Sequence, residues 1–142
     1  MAVLQEVSLK RFWAMTDERL QRVVVESVKD LVSAMQEKSL GVTAGGTLVM
    51  GKMPYVTTNL VTSLTVEVGT RVFVGQFAYG ESMDTYQLGD EVEFYWNQPY
   101  MAYIEYGDDK FAGWHPISTN AAKWPDIVLA NARRIRNRRT TA

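Results

Sequence analysis

The chain has no cysteine and one histidine, His115, among its 142 residues. The first absence removes every disulfide, thiolate nucleophile and sulfur ligand. The second leaves any metal site to be built almost wholly from carboxylates, and neither metal nor cofactor is expected. No apolar run approaches the roughly 18 residues that span a bilayer. Met1-Ala2-Val3-Leu4-Gln5-Glu6 has no basic stretch leading into a hydrophobic one, so a soluble chain without a secretion signal is expected. Repeats, low-complexity tracts and interdomain linkers are also missing. That predicts a single domain over residues 1–142, with an N-terminal extension at 1–15 and a basic C-terminal tail at 133–142. Hydrophobic residues make up 46% of the chain and charged ones 22%, enough to bury a core without covalent staples.

Charge is unevenly placed. Arg133, Arg134, Arg136, Arg138 and Arg139 hold five of the fifteen basic side chains; without them ten basic face sixteen acidic ones, a balance of -6. An acidic body with a basic end invites contact between copies. Eight acids fall between Glu81 and Asp109 with no lysine or arginine among them: Glu81, Asp84, Asp90, Glu91, Glu93, Glu105, Asp108 and Asp109. Acid pairs can act as acid and base or bind cations. Their irregular spread fits a solvated or partner-docking surface better than a calcium loop.

Hydrophobic periodicity predicts a long helix from Thr16, with Leu20, Val23, Val24, Val28, Leu31 and Met35 at steps of three and four. Thr16 would cap it, Asp17 and Glu18 suit its positive end, Lys38 its negative end, and Gly41 would stop it. Val25 and Val32 fall off the main stripe and offer a second contact strip, toward either this subunit's sheet or a neighbour. A glycine-rich loop follows, then a short helical turn from Thr58 to Ser63. Three strands are expected: Leu64 to Val68, Arg71 to Phe77 as its hairpin partner across Gly69-Thr70, and Glu91 to Asn97. A C-terminal helix over 119–137 would present Trp124, Ile127, Val128 and Ile135, with Pro125 starting or kinking it. The fold class is thus α+β: a small antiparallel sheet packed by a long N-terminal helix and a C-terminal helix.

Few residues suggest chemistry. Gly46-Thr47-Leu48-Val49-Met50-Gly51-Lys52-Met53 approaches a phosphate-binding loop, but Met53 stands where a magnesium-holding Ser or Thr is needed, and Pro54 follows. His115 as a general base would need a nucleophile and an orienting acid; Ser118 and Asp126 lie nearby in sequence. The arginine end fits either a solvated helix terminus or a surface for phosphates or protein.

Three segments carry a resemblance. Met53-Pro54-Tyr55-Val56-Thr57-Thr58-Asn59-Leu60-Val61-Thr62-Ser63-Leu64 resembles a Pro-Val-Asp-Thr-Gly-x-Leu-x-x-Ser stretch, matching at Pro54, Thr57, Leu60 and Ser63; Val56 and Thr58 replace its aspartate and glycine. Asn97-Gln98-Pro99-Tyr100-Met101-Ala102-Tyr103-Ile104-Glu105-Tyr106-Gly107 resembles a Tyr-Ala-x-x-x-Glu-aromatic-Gly signature, and Trp124-Pro125-Asp126-Ile127-Val128 a final helix start. Together, over residues 16 to 135, they resemble the tail-completion or neck proteins of long-tailed bacteriophages, the group that includes the lambda Z-type minor tail proteins. The resemblance implies a non-enzymatic virion protein of the head–tail junction. It would form a homo-oligomeric ring, expected as a hexamer with a twelvefold head-side ring as the alternative. Its neighbours would be portal, adaptor or stopper proteins and tail-tube proteins, with packaged DNA passing through and no membrane involved. Loops 41 to 57 and 78 to 90, both termini with the arginines, and the acids Glu81, Asp84, Asp90, Glu105, Asp108 and Asp109 are the expected contacts. The competing reading is a small hydrolase or non-specific nucleic-acid-binding factor using His115 or the arginines.

Overall fold

The computed structural model describes residues 16–55, 59–110 and 112–137. Its first element, α1, is Asp17–Met35. Thr16 stands outside the helix in extended conformation and accepts a hydrogen bond from the Arg19 amide, so the expected cap is present. The expected C-terminus is not. Gln36 is the C-cap, and Lys38 lies in a strand, β1 (Lys38–Leu40), instead of complementing the helix dipole. The backbone leaves the helix here because β1 pairs in parallel with β2 (Met53–Tyr55), and the Met53 amide donates to the Glu37 carbonyl at 2.8 Å. The stretch 41–57, expected as one loop, therefore contains a 3₁₀ turn at Val42–Ala44 as well as β2. Gly46 folds back so closely that a Cβ there would run into the Leu40 carbonyl, which only glycine avoids.

After α2 (Asn59–Thr62) come β3 (Leu64–Val68), β4 (Arg71–Val74) and β5 (Val92–Trp96), an antiparallel sheet of three strands in the order β4-β3-β5. The hairpin turns at Gly69-Thr70 as the sequence implies. β4 ends at Val74, not Phe77, and the following residues form α3 (Ala78–Met83), a helix inside the segment expected to be a loop. It is held by its buried face, Ala78, Ser82 and Met83.

The C-terminal region holds three helices: α4 (Met101–Tyr106), α5 (Pro116–Ala121) and α6 (Trp124–Asn137). The single helix expected over 119–137 is broken at Ala122-Lys123. Pro125 falls in the first turn of α6, where its missing N–H leaves no helical bond unmade. The basic end is helical as far as Asn137, so Arg133, Arg134 and Arg136 lie on the last turns of α6, where the expected helix to Asn137 puts them. Arg138, Arg139 and the extension 1–15 lie outside the described residues.

The main core lies where α1 puts Val28, Leu31, Val32 and Met35 against Leu64, Val66, Val68 and Trp96 of the sheet. Val32, expected on a side strip, is fully buried. A smaller cluster joins Val23 to Ala132 and Ile135, so α6 packs chiefly on α1 and not on the sheet. A buried polar contact reinforces this pairing: Asn131 Nδ2 donates to Ser27 Oγ at 3.2 Å and to Asp30 Oδ2 at 2.9 Å. The fold is α+β, layered as sheet, α1 and α6. Among the described residues no helix is long and apolar enough to cross a membrane.

Candidate functional site

Of the sequence-predicted chemistry, His115 and Ser118 gather with Glu105 where α4 meets the start of α5. Glu105, near the end of α4, is 3% exposed. Its carboxylate accepts from the Ile117 amide at 2.8 Å, the Ser118 amide at 3.2 Å and Ser118 Oγ at 2.6 Å. These amides belong to the first turn of α5 and have no intrahelical acceptor, so Glu105 caps α5 from another element. His115 is the N-cap residue, in left-handed backbone at φ 50°, and offers no side-chain cap of its own. Gly113 lets the chain pass close beneath: its φ is +84°, and a Cβ would sit 2.8 Å from the Glu105 carbonyl oxygen.

A serine, a histidine and a carboxylate thus lie together, but not as a catalytic relay. A relay needs the two imidazole nitrogens to face different partners, nucleophile on one side and acid on the other. Here Nδ1 faces both Ser118 Oγ, at 3.5 Å, and Glu105 Oε2, at 3.6 Å, while Nε2 bonds the Ala112 carbonyl at 2.7 Å. Ser118 already donates to Glu105. Asp126 is exposed in the first turn of α6 and makes none of these contacts. Among the described residues no cluster of histidine and carboxylates could hold a metal ion. The glycine-rich stretch 46–53 runs into β2 and opens no helix. Gly51 is fixed by its amide, which donates a hydrogen bond to the Trp114 carbonyl at 2.7 Å, and by Asn120 Nδ2, which donates to its carbonyl at 2.9 Å.

The burial of Glu105 removes it from the expected acidic contact surface, because its oxygens are spent inside the fold. Two other acids have cationic partners from outside their own segment. Asp84 takes Lys29 at 2.9 Å, and Asp90 takes Arg71 at 2.9 Å. Glu81, Asp108 and Asp109 are exposed, with Asp108 also accepting from the Lys110 amide at 2.8 Å. Arg133, Arg134 and Arg136 are exposed on the last turns of α6; Arg134 donates to Asn131 Oδ1 at 2.8 Å. Among the described residues no acid of the 81–109 segment pairs with these arginines.

Asp90 is held below the ordinary aspartate value of 3.8, first by the Gln87 amide on its carboxylate and then by the Arg71 guanidinium. A depressed folded-state value means that the stabilisation is present above 3.8 and is lost as pH falls through the lower value. Asp90→Asn should therefore flatten the acid limb of a stability-against-pH curve; curves for the two proteins that stay parallel below about pH 4 would contradict this.

Sequence reasoning missed the outer face of the sheet. Val72 and Val74 of β4 are 58% and 68% exposed, because Phe73 between them takes the inward position. Strand alternation alone could have assigned Val72 and Val74 to one face and Phe73 to the other. Neither a protein-family model, a curated protein nor a solved structure matches this chain.

Proposed function

We propose that the chain is a structural subunit of a ring at the head–tail junction of a long-tailed phage particle, assembling with copies of itself around the path of the DNA. The observation that carries this reading is the separation of exposed charge. The arginines end α6, the acids occupy other elements, and among the described residues neither set meets the other within one subunit. Charges held apart in the monomer are available to a neighbour, and a closed ring joins two different surfaces of each copy. An acidic inner wall would let DNA slide without adhering. The resemblance of the 53–64, 97–107 and 124–128 segments to tail-completion and neck proteins supports the same reading.

The test is cryo electron microscopy of particles assembled with this chain. Ring-shaped density at the neck is the expected result and would count the copies; absence of the chain from purified particles would overturn the proposal. His115→Ala separates this reading from a hydrolase. The variant is expected to assemble like the wild type, whereas a reaction using the imidazole as its base would slow by orders of magnitude.

A further inference from the structure

The register of the sheet fixes what its outer face presents. Val72, Glu67 and Glu93 lie in one cross-strand row, and Val74, Thr65 and Tyr95 in the next. All six point away from α1, since the alternate residues Phe73, Val66 and Phe94 pack into the core. Val72 and Val74 are largely exposed and Tyr95 is 42% exposed. Glu67 and Glu93 stand directly opposite each other, an arrangement of like charges that disfavours the pair. Among the described residues no cation answers them: Tyr95 donates its hydroxyl to Glu67 Oε2 at 2.8 Å, and the nearby Arg71 is turned to Asp90 and Thr85. The face is therefore a pair of uncompensated carboxylates framed by apolar surface.

Its complement exists elsewhere on the same chain. Arg133 and Arg136 are three apart on α6, hence on one helix face with Cβ atoms about 5–6 Å apart, close to the roughly 4.5–5.5 Å between opposed strand residues. Both are exposed, and neither has a carboxylate partner among the described residues. Arginine stems also cover apolar surface while their heads pair, which suits Val72 and Val74. Within one subunit the contact cannot form, because the sheet and α1 lie between the outer face and α6.

We infer that the outer face of the sheet, from Val72 and Val74 across Glu67 to Glu93, receives the Arg133–Arg136 end of α6 from a second copy. The inference rests on the ring reading and gives that ring its subunit contact. Because a sheet face meets a helix end, the interface is heterologous and every copy offers both halves, as closure requires.

Charge exchange between two variants of the full chain tests it. Glu67→Lys/Glu93→Lys and Arg133→Glu/Arg136→Glu should each lose assembly, read by sedimentation velocity and electron microscopy. Mixed one to one they should recover it, since alternating copies then meet through one reversed and one native contact. If a reversal variant melts far below the wild type, Glu67→Gln/Glu93→Gln and Arg133→Gln/Arg136→Gln replace the pair, each expected to weaken association about tenfold or more. Assembly of either variant as well as the wild type, or failure of the mixture to recover it, would overturn the contact and leave the ring reading intact. Wild-type chain that forms no ring, alone or on particles, would instead sink the ring reading itself.

Discussion

Replacing Gln36 by leucine is expected to lower stability by about 4 kcal/mol and the thermal midpoint by roughly 10 °C, although leucine nearly keeps the volume. Gln36 is 6% exposed and occupies the point where α1 gives way to β1. Its Nε2 donates to the Val61 carbonyl at 2.8 Å and to the Gln76 carbonyl at 2.9 Å, and its Oε1 accepts from the Trp96 indole at 2.7 Å. One carboxamide thus joins the end of α1 to α2, to the segment after β4 and to the end of β5. Leucine would leave an indole N–H and two carbonyls without this partner, and each such orphan costs about 1–3 kcal/mol. Thermal melts of Gln36→Leu and Gln36→Glu check this. The glutamate should also destabilise, because a carboxylate would face two carbonyl oxygens. A leucine variant melting within 2 °C of the wild type would mean that the hub is dispensable.

Gln36 also marks where the sequence stopped being legible. Helix α1 could be read because its information is local: a cap at Thr16 and apolar residues at helical spacing through Met35. The β3–β4 hairpin and β5 were equally local, both announced by alternation and the hairpin also by the turn at Gly69-Thr70. The parallel pairing of β1 with β2 was not, since three-residue strands leave no periodicity and their pairing spans the glycine-rich stretch between them. Helix α3 was hidden by Gly80 at its centre and by a buried face of only Ala78, Ser82 and Met83. The break between α5 and α6 was not legible because the apolar residues on which the C-terminal helix was read, Trp124, Ile127, Val128 and Ile135, all lie beyond it.

The contact surface was legible in part. Counting charges identified the arginine end and the acidic segment, but counting treats every carboxylate alike. Glu105 looked like one acid among eight, and only the fold reveals that its donors come from Ile117 and Ser118. Glu67 escaped notice for the opposite reason. It lies outside the acidic segment and becomes part of a paired surface only when β3 sets it opposite Glu93.

Glu105→Ala is expected to destabilise the monomer by about 3 kcal/mol, which separates an internal cap from a docking acid. An exposed docking carboxylate would change monomer stability by no more than about 0.5 kcal/mol when removed, while its loss would weaken assembly. A buried carboxylate accepting three charge-assisted hydrogen bonds behaves otherwise: its removal strips the first turn of α5 of its cap and leaves a void beside Ser118. Glu105→Gln keeps the volume but turns an NH₂ group toward one of the donors, so about 2 kcal/mol is expected. Ser118→Ala loses the 2.6 Å hydroxyl contact with Glu105 and the long 3.5 Å contact with His115 Nδ1, and should cost about 1 kcal/mol. The double variant Glu105→Ala/Ser118→Ala should then fall short of the sum by about 1 kcal/mol, because the two residues share that bond. Urea unfolding of the wild type and these four variants measures all of these differences. Additive losses, or a Glu105→Ala protein as stable as the wild type, would mean that the α4–α5 junction is held by something other than this carboxylate.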